Sequence, residues 1–71
     1  MPDSVYKIIE LVGSSSESWE QATANAISKA SETLRELRIA EVISMDVTIK
    51  DGKIESYRTK LKLSFKFEGH H

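Results

Sequence analysis

Apolar and polar residues alternate without interruption from Tyr57 to Phe67. One set is Tyr57, Thr59, Leu61, Leu63, Phe65 and Phe67, and the interleaved set is Arg58, Lys60, Lys62, Ser64 and Lys66. Successive side chains of a strand point to opposite faces, so this pattern predicts a long strand with one apolar and one cationic face. Upstream, Arg38–Lys50 also reads as a strand. Asp51-Gly52 between them is a hairpin signal, because the tight two-residue turn needs residues that accept positive φ. Pairing Lys50 with Lys53 sets a register in which Val42 faces Leu61, Ala40 faces Leu63 and Asp46 faces Tyr57, provided no bulge intervenes. That face can receive a helix. The other would carry Ile39, Glu41, Ile43, Met45, Val47 and Ile49 beside Ile54, Arg58, Lys60 and Lys62.

The first half of the chain supplies the remaining elements. Val5–Val12 is rich in β-branched residues and ends at Gly13 and three serines, which predicts a strand followed by a turn. From Glu17 to Leu37 the apolar period changes. Trp19, Ala22, Ala26, Ala30, Thr33, Leu34 and Leu37 recur at three- and four-residue steps, the stripe of an amphipathic helix. Its alanines allow a close approach to a sheet. Ser14, Ser15 or Ser16 can cap it, and Ser14 with Glu17 fits the capping-box spacing. Trp19 reads as a core anchor whose N–H needs a partner if buried, the alternative being a ring that stacks on a ligand.

The order is strand, helix, strand, strand, an α+β fold. One helix covers one face of a small sheet and leaves the other face, with its aliphatic residues and row of cations, uncovered. An exposed patch of that kind marks an interface, and the edges of two long strands invite pairing, so a symmetric homo-oligomer is expected. Length agrees with this. A chain of 71 residues is a single domain (residues 1–67) that buries only roughly 60% of its unfolded surface. It has no cysteine to staple it, which also excludes thiol catalysis and cysteine zinc sites. A net charge of −1 gives no reason to expect nucleic acid as a partner, and no apolar run is long enough for a membrane span. The start lacks the pattern of a signal peptide, so a cytoplasmic location is expected. Glu68–His71 reads as the start of an expression tag. Setting it aside removes both histidines, and with them the commonest general base.

With these segments laid out, the chain resembles the dodecins over about Ser4–Phe67. The resemblance is carried by Val5-Tyr6-Lys7-Ile8-Ile9-Glu10, Gly13-Ser14-Ser15, Ser18-Trp19-Glu20-Gln21-Ala22 and Thr33-Leu34-Arg35. It continues through Leu37-Arg38, Glu41-Val42, Asp51-Gly52-Lys53 and Leu61-Lys62-Leu63-Ser64-Phe65. It implies a β-α-β-β fold, with a three-stranded antiparallel sheet wrapped around one helix. It also implies a hollow homododecamer that binds flavins in pairs at two-fold interfaces and stores ligands rather than transforming them; some members also bind coenzyme A. Two positions depart from the flavin-binding pattern. Ile39 stands where the family places the tryptophan that stacks on the flavin ring, and Arg58 where it places a glutamine that bonds the ring edge. An aliphatic side chain forgoes the ring–ring geometry, worth about 0.5–1.5 kcal/mol beyond area. Arginine donates only, whereas the flavin pyrimidine edge both donates and accepts. Flavin binding is therefore expected to be weak or absent.

Two other ligands fit the residues. The pattern without the junction tryptophan is similar to a calcium-binding branch of the family, and Glu17 and Asp46 are the candidate metal ligands. Calcium takes six to eight oxygens, so a site would draw on symmetry mates. The competing reading makes Glu17 a helix-start acid and Asp46 an ordinary strand residue. Arg58, Lys60 and Lys62 could instead clamp a phosphorylated ligand such as coenzyme A, the competing reading being ion pairs with Glu41 and Asp46. No catalytic triad, phosphate-cradling glycine loop or HExxH motif is present, and Tyr6 and Tyr57 lack a base partner, so an enzyme is not expected.

Overall fold

The alternating strand lies at the centre of the sheet. The computed structural model describes residues 4–66. Within them the order is β1 (Tyr6–Ser15), α1 (Trp19–Ala30), β2 (Leu37–Lys50) and β3 (Lys53–Lys66). The strand order is β1-β3-β2, with β3 antiparallel to both neighbours. The free edges therefore belong to β1 and β2, and the expectation that both long hairpin strands expose an edge fails for β3. Phe67 and the tag-like Glu68–His71 lie outside the described residues.

The hairpin turn is as predicted: Asp51 and Gly52 have φ of 53° and 75°, and Lys50 pairs with Lys53. The register beyond it is not uniform. It shifts between Thr48 and Ile49 and shifts back between Val42 and Ser44. The two irregularities cancel, so Val42 faces Leu61 and Ala40 faces Leu63 as expected. Between them the pairing slips by one, so Asp46 faces Arg58 and Val47, not Asp46, faces Tyr57. A one-residue slip exchanges faces. Met45 and Val47 thus share the face of Thr59 and Tyr57, while Ser44, Asp46 and Thr48 share that of Lys60, Arg58 and Ser56. The expected outer row of Met45 and Val47 is corrected accordingly.

The helix lies on the apolar face and is shorter than its periodicity suggested. Ala26 and Ala30 are buried in one cluster with Leu61 and Leu63, with Ile9, Leu11, Ile27, Leu34 and Leu37 around them, and Ala22 is buried over Gly13. Each buried leucine contributes about 1.5–3 kcal/mol. Ser31 N–H still makes the ordinary helical bond to Ile27 O; beyond it Glu32 N and Thr33 N bond only three residues back, to Lys29 O and Ala30 O, and this tighter winding closes the helix. Thr33, Leu34 and Leu37 continue the apolar spacing outside the helix. At the other end the cap is Ser18, whose hydroxyl accepts from Gln21 N at 2.9 Å, rather than any of Ser14–Ser16. Ser15 Oγ accepts instead from Glu17 N in a local turn.

Gly13 is a strand residue opposite Thr59, not the turn expected there. A Cβ on it would collide with the carbonyl oxygen of Ala22 and come within 2.9 Å of Ala26 Cβ. Glycine is what lets the alanine face of the helix seat on β1, so β1 continues to Ser15. The 12-residue helix spans about 18 Å, whereas each 14-residue hairpin strand spans about 46 Å. The molecule is accordingly elongated, 54 × 20 × 15 Å. Its radius of gyration of 14.9 Å exceeds the roughly 11 Å of a compact chain this long.

Candidate functional site

The sheet face turned away from α1 gathers Arg58, Lys60 and Lys62 along β3. Register places each between two neighbours. Arg58 lies between Ser14 and Asp46, Lys60 between Val12 and Ser44, and Lys62 between Glu10 and Glu41. The central position of β3 thus embeds its cationic row in partners from both flanking strands. Counting Lys66 with the row, four cations meet the three carboxylates of Glu10, Glu41 and Asp46. The face is close to electrically balanced, which limits its pull on a polyanion.

The best-formed contact on this face joins Asp46 and Arg58. Arg58 Nε donates to Asp46 Oδ1 at 2.8 Å and Nη2 donates to Oδ2 at 2.9 Å, a two-point geometry made possible by the slipped register. The hydrogen bond from Arg58 and its charge hold the Asp46 carboxyl below its ordinary 3.8, and the same bond raises Arg58. Lys60 and Glu10 approach more loosely, at 3.8 Å. Thr48 and Ser56 share a 2.6 Å hydroxyl contact toward the turn.

Ile39 lies on the same face opposite Ser64 and is 65% exposed. It rims a cleft of about 190 Å³ with Ile27, Leu37, Arg38, Ala40 and Leu63. The structure puts Ile39 and Arg58 on one face as expected, but not side by side. Ser64 and Arg58 lie six residue steps apart on β3, about 20 Å along a strand.

The two candidate metal ligands are differently placed. Glu17 is exposed in the bend before the cap, so it is not in the first helical turn, where the acid is Glu20. Both Asp46 oxygens are engaged by Arg58. Among the described residues no three acidic or histidine side chains group where they could hold a metal ion. The described residues of one chain therefore do not by themselves compose the oxygen cage that calcium takes.

On the helix face, Trp19 anchors the helix start. Its Nε1 donates to the Asp46 carbonyl at 3.0 Å, and its ring meets Tyr57 edge-on at 5.0 Å and 77°. Thr59 Oγ1 and Thr23 Oγ1 both donate to Trp19 O. The indole N–H is paired although Trp19 stays 37% exposed, so Trp19 anchors the helix start at the rim and not as a fully buried core residue. Sequence reasoning missed Ser14 and Val12 as neighbours of the cationic row. The apolar–polar alternation of β1 was available, but its pairing partner was not.

The Dodecin family model matches residues 5–68. Calcium dodecin from Mycobacterium tuberculosis is 43% identical over 63 residues, 89% of either chain. A solved structure of that protein, a calcium-chelating antigen with a calcium-binding site, covers 96% of this chain and 97% of its own, with a TM-score of 0.82. The dodecin of Streptomyces coelicolor superposes with a TM-score of 0.93 at 37% identity, covering 99% of this chain and 100% of the other.

Proposed function

This chain belongs to the dodecin family, and from that premise we propose that it is a small-ligand binding and storage protein assembled as a hollow homododecamer. The observation that carries the reading is the mismatch between helix and hairpin. A helix of about 18 Å leaves more than half of each 46 Å strand without cover. Large apolar side chains stay exposed on both sides of the sheet, among them Ile8 at 59%, Val12 at 55%, Ile39 at 65% and Met45 at 57%. A chain this small has little core to spare, and neighbouring copies are the ordinary way to cover such a surface. No helix among the described residues is long and apolar enough to cross a membrane.

The ligand site lies between copies. Ile39 and Arg58 of one chain are about 20 Å apart along the strand, so a small ring system that meets both at close range draws them from different chains. Riboflavin fits this site poorly, since Ile39 gives no ring to stack on and Arg58 answers only acceptors. Native mass spectrometry of the purified protein tests the assembly. Twelve subunits are expected, and a monomer or dimer refutes the shell. A riboflavin titration read by fluorescence quenching tests the site, and submicromolar affinity overturns the reading.

The relationship to calcium dodecin favours a second reading, a calcium-binding shell. It requires Arg58 to release Asp46 and further oxygens, Glu17 among the candidates, to come from neighbouring copies. Calorimetric titration with calcium decides it: a saturable heat that Asp46→Asn abolishes supports this reading, and no heat eliminates it. A phosphorylated ligand such as coenzyme A, clamped by Arg58, Lys60 and Lys62, is less favoured because acids flank that row. Salt-sensitive binding of coenzyme A would argue for it.

A further inference from the structure

We propose that the free edge of the Arg58 guanidinium is a docking point for a carboxylate carried on a small apolar molecule, with Asp46 as the residue that aims it. This rests on the small-ligand reading above and names the ligand class for the part of the site that one chain supplies. An arginine carries five N–H donors arranged along two usable edges. Asp46 occupies the Nε–Nη2 edge with both its oxygens, at 2.8 and 2.9 Å. The Nη1–Nη2 edge makes no hydrogen bond among the described residues. The side chain is 45% exposed. Anchoring by one edge removes the rotational freedom that a surface arginine otherwise loses on binding, so the second edge is presented ready-made.

The surroundings narrow what that edge can take. Two parallel donors match the paired oxygens of a carboxylate. They do not match a neutral imide edge, where an N–H between two carbonyls would meet a donor. Phosphate also presents only acceptors. Its second negative charge gains little, because Asp46 already neutralises Arg58 and the four cations of the face are set against three carboxylates. Beside the guanidinium, Ser14 lies directly across on β1 and offers a hydroxyl. Val12, diagonal to Arg58 and 55% exposed, offers apolar surface for the body of the ligand.

The test uses the full chain and two matched probes, 1-naphthoate and 1-naphthamide, with inorganic phosphate as competitor. Calorimetry gives the affinities and native mass spectrometry the assembly of the same samples. Naphthoate should bind about tenfold tighter than naphthamide, because both carboxylate oxygens accept from the edge whereas the amide sets an N–H against one of its donors. Arg58→Lys keeps the charge but loses the edge, and should lose about that factor while the assembly mass stays unchanged. Asp46→Asn should shift competition several-fold toward phosphate, because the guanidinium is then unneutralised; a purely structural role would weaken both anions alike. Equal affinity for the two probes, an undiminished Arg58→Lys variant, or phosphate competing as well as naphthoate in the wild type each overturns the proposal. A non-assembling protein that keeps the naphthoate preference refutes the shell and leaves this inference standing. A twelve-subunit shell without the preference does the reverse.

Discussion

A side chain on Gly13 has nowhere to go, whereas one on Gly52 meets nothing within 4 Å. The two glycines are required for different reasons. Gly13→Ala forces the helix away from β1, and overpacking of this kind costs about 1–3 kcal/mol. Gly52→Ala is penalised only through its φ of 75°, at about 1–2 kcal/mol. Thermal melts should show both losses. Only Gly13→Ala should also alter the near-ultraviolet signal of Trp19, whose helix it displaces. Asp46 gives a residue-scale dependence on pH. Its folded carboxyl lies below the ordinary 3.8 because Arg58 bonds and charges it. The pair therefore stabilises above about pH 4, and that contribution disappears as pH falls through the lower folded value. Chemical denaturation from pH 6 down to pH 2 should show a slope that Asp46→Asn flattens. An unchanged slope would mean that the pair does not persist in solution.

The elements were unevenly legible in the sequence. β3 could be read because its alternation is continuous, and the turn because Asp51-Gly52 admits few other conformations. The helix stripe of Ala22, Ala26 and Ala30 was legible, but its end was not. Leu34 and Leu37 keep helical spacing while packing against the same core from a loop and a strand, and exposed Thr33 shares that spacing, so periodicity alone could not separate them. Ser18 was overlooked as the cap because three earlier serines offered the same chemistry. The register was half legible. A third irregularity, between Leu37 and Ile39, moves Leu37 opposite Phe65; two compensating ones leave Val42 and Ala40 where simple counting puts them and displace the middle of the strand. That stretch contains Asp46, so the partner of the candidate metal ligand was the one the count misassigned. Ile43 is the extra residue of the second register shift, so deleting it should leave Val42 opposite Leu61 and Ala40 opposite Leu63 and remove only the irregularity. Circular dichroism should show a folded protein, and loss of the folded signal would mean that the irregularity itself is needed for the fold.

For the whole molecule, the uncovered hairpin predicts that folding and association are inseparable. If neighbouring copies supply the missing cover, the melting temperature should rise with protein concentration. A melting temperature independent of dilution would show that the chain is stable alone. The order β1-β3-β2 could not be read from local patterns, since it rests on pairings between residues such as Tyr6 and Lys66 at opposite ends of the chain. That order sets the charge balance of the candidate site, which a count along β3 overstated as plainly cationic. Asp46 also has a consequence for observation. Its carbonyl holds the indole of Trp19 on one side of the sheet, while its carboxylate holds Arg58 on the other. The lone tryptophan is thus wired through a single residue to the one that a ligand would touch. The protein carries its own optical gauge, and occupancy should be readable without any label as a shift in ultraviolet emission.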